Sequence, residues 1–452
     1  MANSFDAVTG QRRLRRTLHG IFYVGIYLIV TLSPLFVLVI GPTQPGRAFW
    51  TEFSVALGFA GLAVIGFQFL LTARFQHLTS PYGIDIVYHF HRQISLLVFA
   101  LIVAHPVILL ITRTEEILVL LNVVTAPWRT QTAVFALLAL TILIVTSVWR
   151  IPLGIPYEPW RIAHGLLSVL AVGLALTHVV GIGYYVSLPW QQALWIALGL
   201  TWISALLYVR VAKPFMMLRR PYKVVDVIEE RGNTWTIVME PKGHPGLRFM
   251  PGQFAWVTIL NSPFAVSEHP FSISSSAVTP ELLHFTIKSL GDFTSTIKDV
   301  PIGTRAYIDG PYGAFTLDIH RASGYVFIAG GIGITPIMSM LRTLADRRDS
   351  GKLLLIYATK TLEQATFKEE IDTLKERLNL QVVYVPENPP EQWEGESGFI
   401  NAQLIARYLP EDRSDLEYFV CGPVPMMNVV EDARFRLGLP VDRVQSERFN
   451  LV

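Results

Sequence analysis

Six long apolar runs decide what this chain can become. They fall near residues 21–40, 53–72, 86–112, 133–149, 164–186 and 190–211, with short polar loops between them. Each approaches or exceeds the roughly 20 residues a helix needs to cross a bilayer, and 133–149 is the shortest. Lipid offers no partner to a bare peptide group, so such runs fold as helices. A six-helix transmembrane bundle is expected. The first run follows "RRLRR". It is too long for a signal peptide and no small-residue cleavage pattern follows it, so it counts as a span.

Basic residues set the orientation. With the N-terminus inside, the inner segments hold Arg12, Arg13, Arg15, Arg16, Arg74, Arg150, Arg161, Arg210, Lys213, Arg219 and Arg220, and the outer segments hold Arg47, Arg113 and Arg129. That asymmetry places the N-terminus and everything after the last run in the cytoplasm, at a cell or inner membrane. The single cysteine, Cys421, excludes an intrachain disulfide and suits that reducing side. Beyond about residue 212 charge becomes common and Pro/Gly turns separate short β-rich runs. The chain therefore reads as a multidomain membrane protein, a membrane half followed by a soluble half. Its net charge of +2 averages over two different objects and predicts no nucleic-acid partner.

The stretch "HFHRQISLLVFALIVAHP" puts His91 and His105 on one apolar run, and "HGLLSVLAVGLALTHVV" puts His164 and His178 on another at the same fourteen-residue step. Fourteen residues are nearly four helical turns, so each pair shares a face and is separated by about 21 Å along its axis. In the six-span topology both helices run outward, which sets His91 and His164 at the inner level and His105 and His178 at the outer. A polar group in lipid costs roughly 1–3 kcal/mol unless partnered, and ionisable residues in spans are functional suspects. A lone membrane histidine is more often hydrogen-bonded packing or part of an ion path. Two pairs at identical spacing on parallel helices point instead to two bis-histidine haems, since imidazole is a common haem ligand. Arg92, beside His91, can pair with a haem propionate. His89 competes with His91, but only His91 keeps the step; His19 and His77 fall outside the spans.

From about residue 221 alternating strands follow: "YKVVDVIEE", "TWTIVMEP", "QFAWVTIL", "LLHFTIKSL", "TRAYIDG". Short, evenly spaced strands with turn signals suggest an antiparallel β-barrel. In "IKSLGDFTSTI", Gly291 and Thr294 are positioned to open a helix, where free N–H groups favour a phosphate. The pattern then switches. "GYVFIAGGIGITPIMSMLRTLADR" is strand, Gly-rich turn and helix, and "LEYFVCGPVPMMNVVEDARFRLG" repeats that order. Alternating β and α implies a parallel sheet covered by helices. Gly330, Gly331 and Gly333 end its first strand, where open α/β sheets bind ligands.

The soluble half resembles the ferredoxin–NADP reductase superfamily in domain order and in "HPFSIS", "GPYG", "GGIGITP" and "CGP". With the six-span histidine half in front, the whole chain resembles the ferric reductase and NADPH oxidase (NOX) superfamily in a compact, bacterial-type form. The resemblance implies three parts: a ferric-reductase-like transmembrane domain over 1–215, an FAD-binding β-barrel over 216–318 and an NAD(P)H-binding α/β domain over 319–452. It implies that His269 and Pro270 belong to the flavin phosphate segment, that Phe271 lies against the isoalloxazine ring and Ser272 near its N5, and that Lys288, Gly291 and Thr294 form a second FAD segment. Gly330, Gly331, Gly333, Thr335 and Pro336 match the turn for the nicotinamide pyrophosphate. Cys421, Gly422 and Pro423 match the loop beside the nicotinamide, and Phe449 the terminal aromatic that covers the flavin.

The expected activity is an electron relay from cytoplasmic NADPH or NADH through FAD and two haem b groups to an external acceptor. Dioxygen, giving superoxide, is favoured by the NOX-like histidine spacing; a ferric chelate is the alternative. Lys360 and Thr361 are candidates for meeting a 2′-phosphate. A different class, a histidine-containing membrane transporter with a degenerate reductase domain, is disfavoured by the intact flavin and nucleotide motifs. Protein partners are not readable from the sequence.

Overall fold

The chain's computed structural model describes residues 18, 20–36, 46–75, 84–122, 124–320, 322–411, 413 and 415–448. Arg12, Arg13, Arg15, Arg16, His19, His77 and Phe449 lie outside them. Helix α1, Gly20–Phe36, covers most of the first apolar run; its remainder, 37–40, also lies outside the described residues. Then come α2 (Phe49–Leu71), α3 (Ile84–Thr112), a short α4 (Thr114–Leu121), α5 (Trp128–Val148), α6 (Tyr157–Ile182) and α7 (Pro189–Leu207). The last continues through a π-helical turn, Tyr208–Ala212, into α8 (Lys213–Leu218). Among the described residues five helices are long and apolar enough to span a bilayer, namely α2, α3, α5, α6 and the α7–α8 rod. Helix α5 begins at Trp128, because polar "WRTQT" extends the short run 133–149 by more than a turn.

The chain divides into two compact units, Met1–Phe75 with Tyr88–Ala212, and Gln76–Val87 with Lys213–Val452. In the first, Phe59, Leu62 and Ala63 of α2 pack with Val172 and Val179 of α6 and Trp195 and Trp202 of α7. Ala139, Leu140, Leu143 and Ile144 of α5 close against Ala171 of α6. In lipid such contacts depend on small residues that let backbones approach. A Cβ at Gly66 would stand 2.3 Å from the Trp202 indole, and one at Gly61 2.6 Å from Ile102.

The second unit opens with six antiparallel strands: β1 (Tyr222–Glu230), β2 (Thr234–Pro241), β3 (Phe254–Ile259), β4 (His269–Ser272), β5 (Leu283–Lys288) and β6 (Arg305–Tyr312). Their order is β4-β3-β6-β1-β2-β5, a half-barrel filled by alternate residues such as Ile237, Met239, Phe285 and Ile287. Pro270 is tolerated because β4 is an edge strand. Between β5 and β6 lies α9, Asp292–Ser295.

Five parallel strands follow, β7 (Gly324–Gly330), β8 (Lys352–Thr359), β9 (Leu380–Pro386), β10 (Leu416–Cys421) and β11 (Val444–Glu447), in the order β11-β10-β7-β8-β9. Their connections carry α10 (Ile334–Asp346), α11 (Lys368–Leu374), α12 (Ala402–Tyr408) and α13 (Val424–Arg436). One core lies under α10 and α11, another under α12 and α13. Both faces are thus covered, as an all-parallel sheet requires.

Candidate functional site

The four membrane histidines share one chemical feature. His91 Nδ1 lies 2.9 Å from Gln68 Oε1, and His105 Nδ1 lies 2.9 Å from the Ser54 carbonyl. His178 Nδ1 lies 2.7 Å from the Arg129 carbonyl, and His164 Nδ1 lies 3.2 Å from Ser147 Oγ. A carbonyl only accepts, so Nδ1 carries the proton in His105 and His178. Gln68 donates its own amide to the Val64 carbonyl, and Ser147 gives its hydroxyl proton to the Leu143 carbonyl. Both therefore accept from histidine too. All four rings are left with the lone pair on Nε2, the tautomer a metal ligand needs.

The His91 and His164 rings are neighbours, their centroids 6.4 Å apart and their planes inclined edge to face at 67°. His89 and Arg92 are exposed.

Helix α2 supplies the acceptors for both histidines of α3. Ser54 serves His105 and Gln68 serves His91, so α2 repeats the fourteen-residue step in antiparallel register. Sequence reading missed both residues. Gln68, an amide in an apolar run, was the signal available; the Ser54 and Arg129 contacts are backbone and leave none.

In the half-barrel, β3 pairs with β4 so that Phe254 opposes Ser272 and Val257 opposes His269. The His269 ring stacks on Phe293 at 3.8 Å and 16°, and Phe271 lies 6.2 Å from the same ring. Phe293 belongs to α9, so the fold brings "HPFS" and "LGDFT" together through an aromatic stack that sequence reading did not anticipate. The expected helix at Gly291 is only four residues long. Its Thr294 hydroxyl accepts from the Leu290 and Gly291 amides, which are therefore not open to a phosphate. Lys288 ends β5 half-buried. Ser272 Oγ is buried and has no hydrogen-bond partner among the described residues. An orphaned buried hydroxyl calls for an explanation, and a ligand's hydrogen-bonding edge satisfies it. These residues fit a flavin.

At the parallel sheet, the turns after β7 and β10 touch through glycine. A Cβ at Gly333 would stand 2.3 Å from the Cys421 carbonyl oxygen, and one at Gly422 2.9 Å from the Gly330 amide nitrogen. Gly331, with φ +52, has open space beside it. Thr335 and Pro336 are buried, and the Thr335 hydroxyl donates to the Ile332 carbonyl, so it shapes the turn from inside. Cys421 is not in a loop: it ends β10, fully buried in the core under α10. Burial first, and then the Glu447 carboxylate, hold its thiol well above the ordinary range; it stays neutral. Pro423 caps the following helix.

Glu447 is a buried carboxylate that sequence reading missed. It pairs with Cys421 in parallel register. A Cβ at Gly313 (φ +103) would stand 3.1 Å from Glu447 Oε1 and 3.2 Å from Phe254 Cδ1. Because Phe254 opposes Ser272, this crowding at Gly313 draws the barrel's Ser272 edge toward the Cys421 end of the parallel sheet.

Three protein families match successive stretches: "Ferric reductase like transmembrane component" over residues 57–175, "FAD-binding domain" over 217–316 and "Oxidoreductase NAD-binding domain" over 327–432. NADH-cytochrome b5 reductase 1 of Pyricularia oryzae is 32% identical over 180 residues, 38% of this chain and 58% of that one. Its counterpart from Mortierella alpina is 30% identical over 173 residues, 37% of this chain and 58% of that one. The chain spans a little over half the length of these curated relatives. Among solved structures, the FAD/NAD-binding domain of nitric oxide dioxygenase from Vibrio cholerae aligns at TM-score 0.45 and 21% identity, covering 51% of this chain and 98% of that one. Flavohemoglobin from Malassezia yamatoensis aligns at TM-score 0.48 and 16% identity, covering 90% and 100%.

Proposed function

We propose, for a chain that belongs to the ferric reductase and NADPH oxidase superfamily and is an integral membrane oxidoreductase, that it moves electrons from cytoplasmic NAD(P)H through the bilayer to an external acceptor. The proposal takes 1–215 as a six-span membrane domain, 216–318 as the FAD domain and 319–452 as the nucleotide domain, with the N-terminus and both soluble domains inside. When bound, FAD accepts a hydride and releases electrons singly, and each haem carries one electron at a time.

The residues divide the work. His91 and His164 would hold the inner haem, and His105 and His178 the outer. Gln68, Ser147 and two backbone carbonyls orient their rings. Arg92 would meet a propionate. Phe271 and the His269–Phe293 stack would line the flavin, and Ser272 would donate to its ring edge. Lys288, Gly291 and Thr294 would border that segment, with Thr294 holding the turn at Gly291 in shape. The turn Gly330, Gly331, Gly333, Thr335 and Pro336 would receive the pyrophosphate, while Cys421, Gly422 and Pro423 border the nicotinamide. Phe449 would cover the flavin.

The observation that carries this reading is the set of four imidazoles, every Nδ1–H committed to the protein. His105→Leu should halve haem content and stop reduction of the external acceptor while NAD(P)H still reduces the flavin. Full external reduction by that variant would refute the route. Dioxygen is the favoured acceptor and a ferric chelate the second; superoxide-dismutase-sensitive cytochrome c reduction measured against Fe(III)-chelate reduction separates them. The matched relatives are named for NADH. Glu363, kept ionised chiefly by the Thr361 hydroxyl, opposes a 2′-phosphate near Lys360 and Thr361. NADH is therefore preferred, which initial rates with each nucleotide test.

A further inference from the structure

Three hydroxyls cross the outer face of the half-barrel in one unbroken row. Ser274 Oγ lies 2.9 Å from Thr286 Oγ1, and Thr286 Oγ1 lies 2.8 Å from Thr236 Oγ1. Thr236 then donates to Glu230 Oε1 at 2.8 Å. The strand period puts them there. Trp235, Ile237, Phe285 and Ile287 turn into the barrel core, so Thr236 and Thr286, directly opposed on β2 and β5, turn outward. Helix α10 covers that face: Ser339 donates to the Ser275 carbonyl and Arg342 to the Ser274 carbonyl, each at 2.7 Å. The three hydroxyls are buried, and Glu230 is half-buried.

A threonine pair across two strands is ordinary packing. This row differs in its ends. One end, Ser274, lies two residues beyond Ser272, the buried hydroxyl without a partner among the described residues. Two extended residues span about 7 Å, a gap that takes two waters in file to bridge. The other end is a carboxylate that solvent reaches.

We infer that Ser274, Thr286, Thr236 and Glu230 form a proton relay between the flavin pocket and solvent. The inference rests on the electron route proposed above, whose balance demands an exit. A hydride is one proton and two electrons. If both electrons leave singly toward the membrane, one proton per nicotinamide oxidised stays behind. Each hydroxyl in the row can take a proton on a lone pair and pass its own onward, so a proton entering at Ser274 delivers another to Glu230, which releases it to water. Arg342 from α10 and Glu369 and Glu370 from α11 also face Glu230. Burial raises its carboxyl above the usual range, opposed in part by the Thr236 hydroxyl. His284 on β5 does not compete: burial, and then Arg342, push it down to about 4.

The test uses full-length protein loaded with FAD and haem, under anaerobic stopped flow with NADH. Wild type must first show flavin reduction followed by haem reduction; if it does not, the electron route fails and the relay with it. Given that route, Thr286→Val should leave flavin reduction unchanged, slow haem reduction about tenfold or more, and raise its solvent isotope effect. Thr234→Val, buried on the same face but outside the row, should match wild type. Infrared titration of the Glu230 carboxyl in cofactor-free protein gives a second readout: Thr236→Val removes a donor to the carboxylate and should raise its pKa. Glu230→Gln, at a half-exposed position, serves if Thr286→Val does not fold. Wild-type haem reduction in both Thr286→Val and Glu230→Gln, or a Glu230 titration unmoved by Thr236→Val, overturns the relay while leaving the electron route standing.

Discussion

Replacing Gln68 with leucine removes the acceptor of the His91 ring without removing a proposed haem ligand. Gln68 Oε1 takes the His91 Nδ1–H at 2.9 Å. Without it the imidazole keeps its place in the chain but loses what fixes its tautomer and rotation. Loss of such an outer partner typically weakens metal binding 10–100-fold, about 1.4–2.7 kcal/mol. The outer pair should not respond, because the Ser54 and Arg129 backbone carbonyls hold it. Leucine suits the apolar run of α2, so the span should still insert. The assay is haem titration into cofactor-depleted protein, followed by absorbance. Wild type should show two sites, and Gln68→Leu should weaken one by that factor and leave the other unchanged. Gln68→Glu, which keeps an oxygen acceptor, should restore most of the affinity. Gln68 also bonds the Val64 carbonyl and the Tyr27 hydroxyl, so a general loosening would weaken both sites together. Equal loss at both sites, or no loss at either, refutes the reasoning.

Further outcomes follow from the second unit. Gly333→Ala forces a Cβ against the Cys421 backbone, an overpacking cost of about 1–3 kcal/mol; nicotinamide-dependent flavin reduction should fall while haem content stays constant. Lys213 and Asp309 form a buried pair at 2.8 Å, with Tyr312 bonded to both. Lys213→Met strands the carboxylate and should cost about 3–5 kcal/mol in thermal unfolding, and adding Asp309→Leu should recover much of it. Cys421 should resist thiol reagents until the protein unfolds. Its proton is held in the folded state and lost from the unfolded chain above about pH 8.5, so stability should fall as pH rises through that range, and Cys421→Ala should flatten the slope.

The histidine lattice was legible because a fourteen-residue step on a regular helix fixes which side chains share a face, and α3 and α6 are regular over both steps. The parallel sheet was legible because apolar strands, Gly-rich turns and amphipathic helices alternate. Contacts that depend on tertiary approach were not. Nothing local pairs His269 with Phe293, sends the Thr335 hydroxyl inward or buries Glu447 beside Cys421. The four-residue β11 carries too little pattern to announce itself. The row from Ser274 to Glu230 joins three strands and a loop, and a hydroxyl spaced evenly along one strand gives no sign of its neighbour on the next.

Helix α2 contributes no imidazole, yet it acts as the ruler against which α3 is measured. Its marks are a backbone oxygen at Ser54 and an amide at Gln68, set to the same interval as the rings they steady. Between those marks Phe59, Leu62, Ala63 and the close-approach glycines Gly61 and Gly66 are held by packing, and only the remaining side chains can change without moving either mark. One residue inserted there would swing everything beyond it by about 100° and carry one mark away from its ring. Lineages of this chain should therefore vary in the unpacked letters of that segment and almost never in its length.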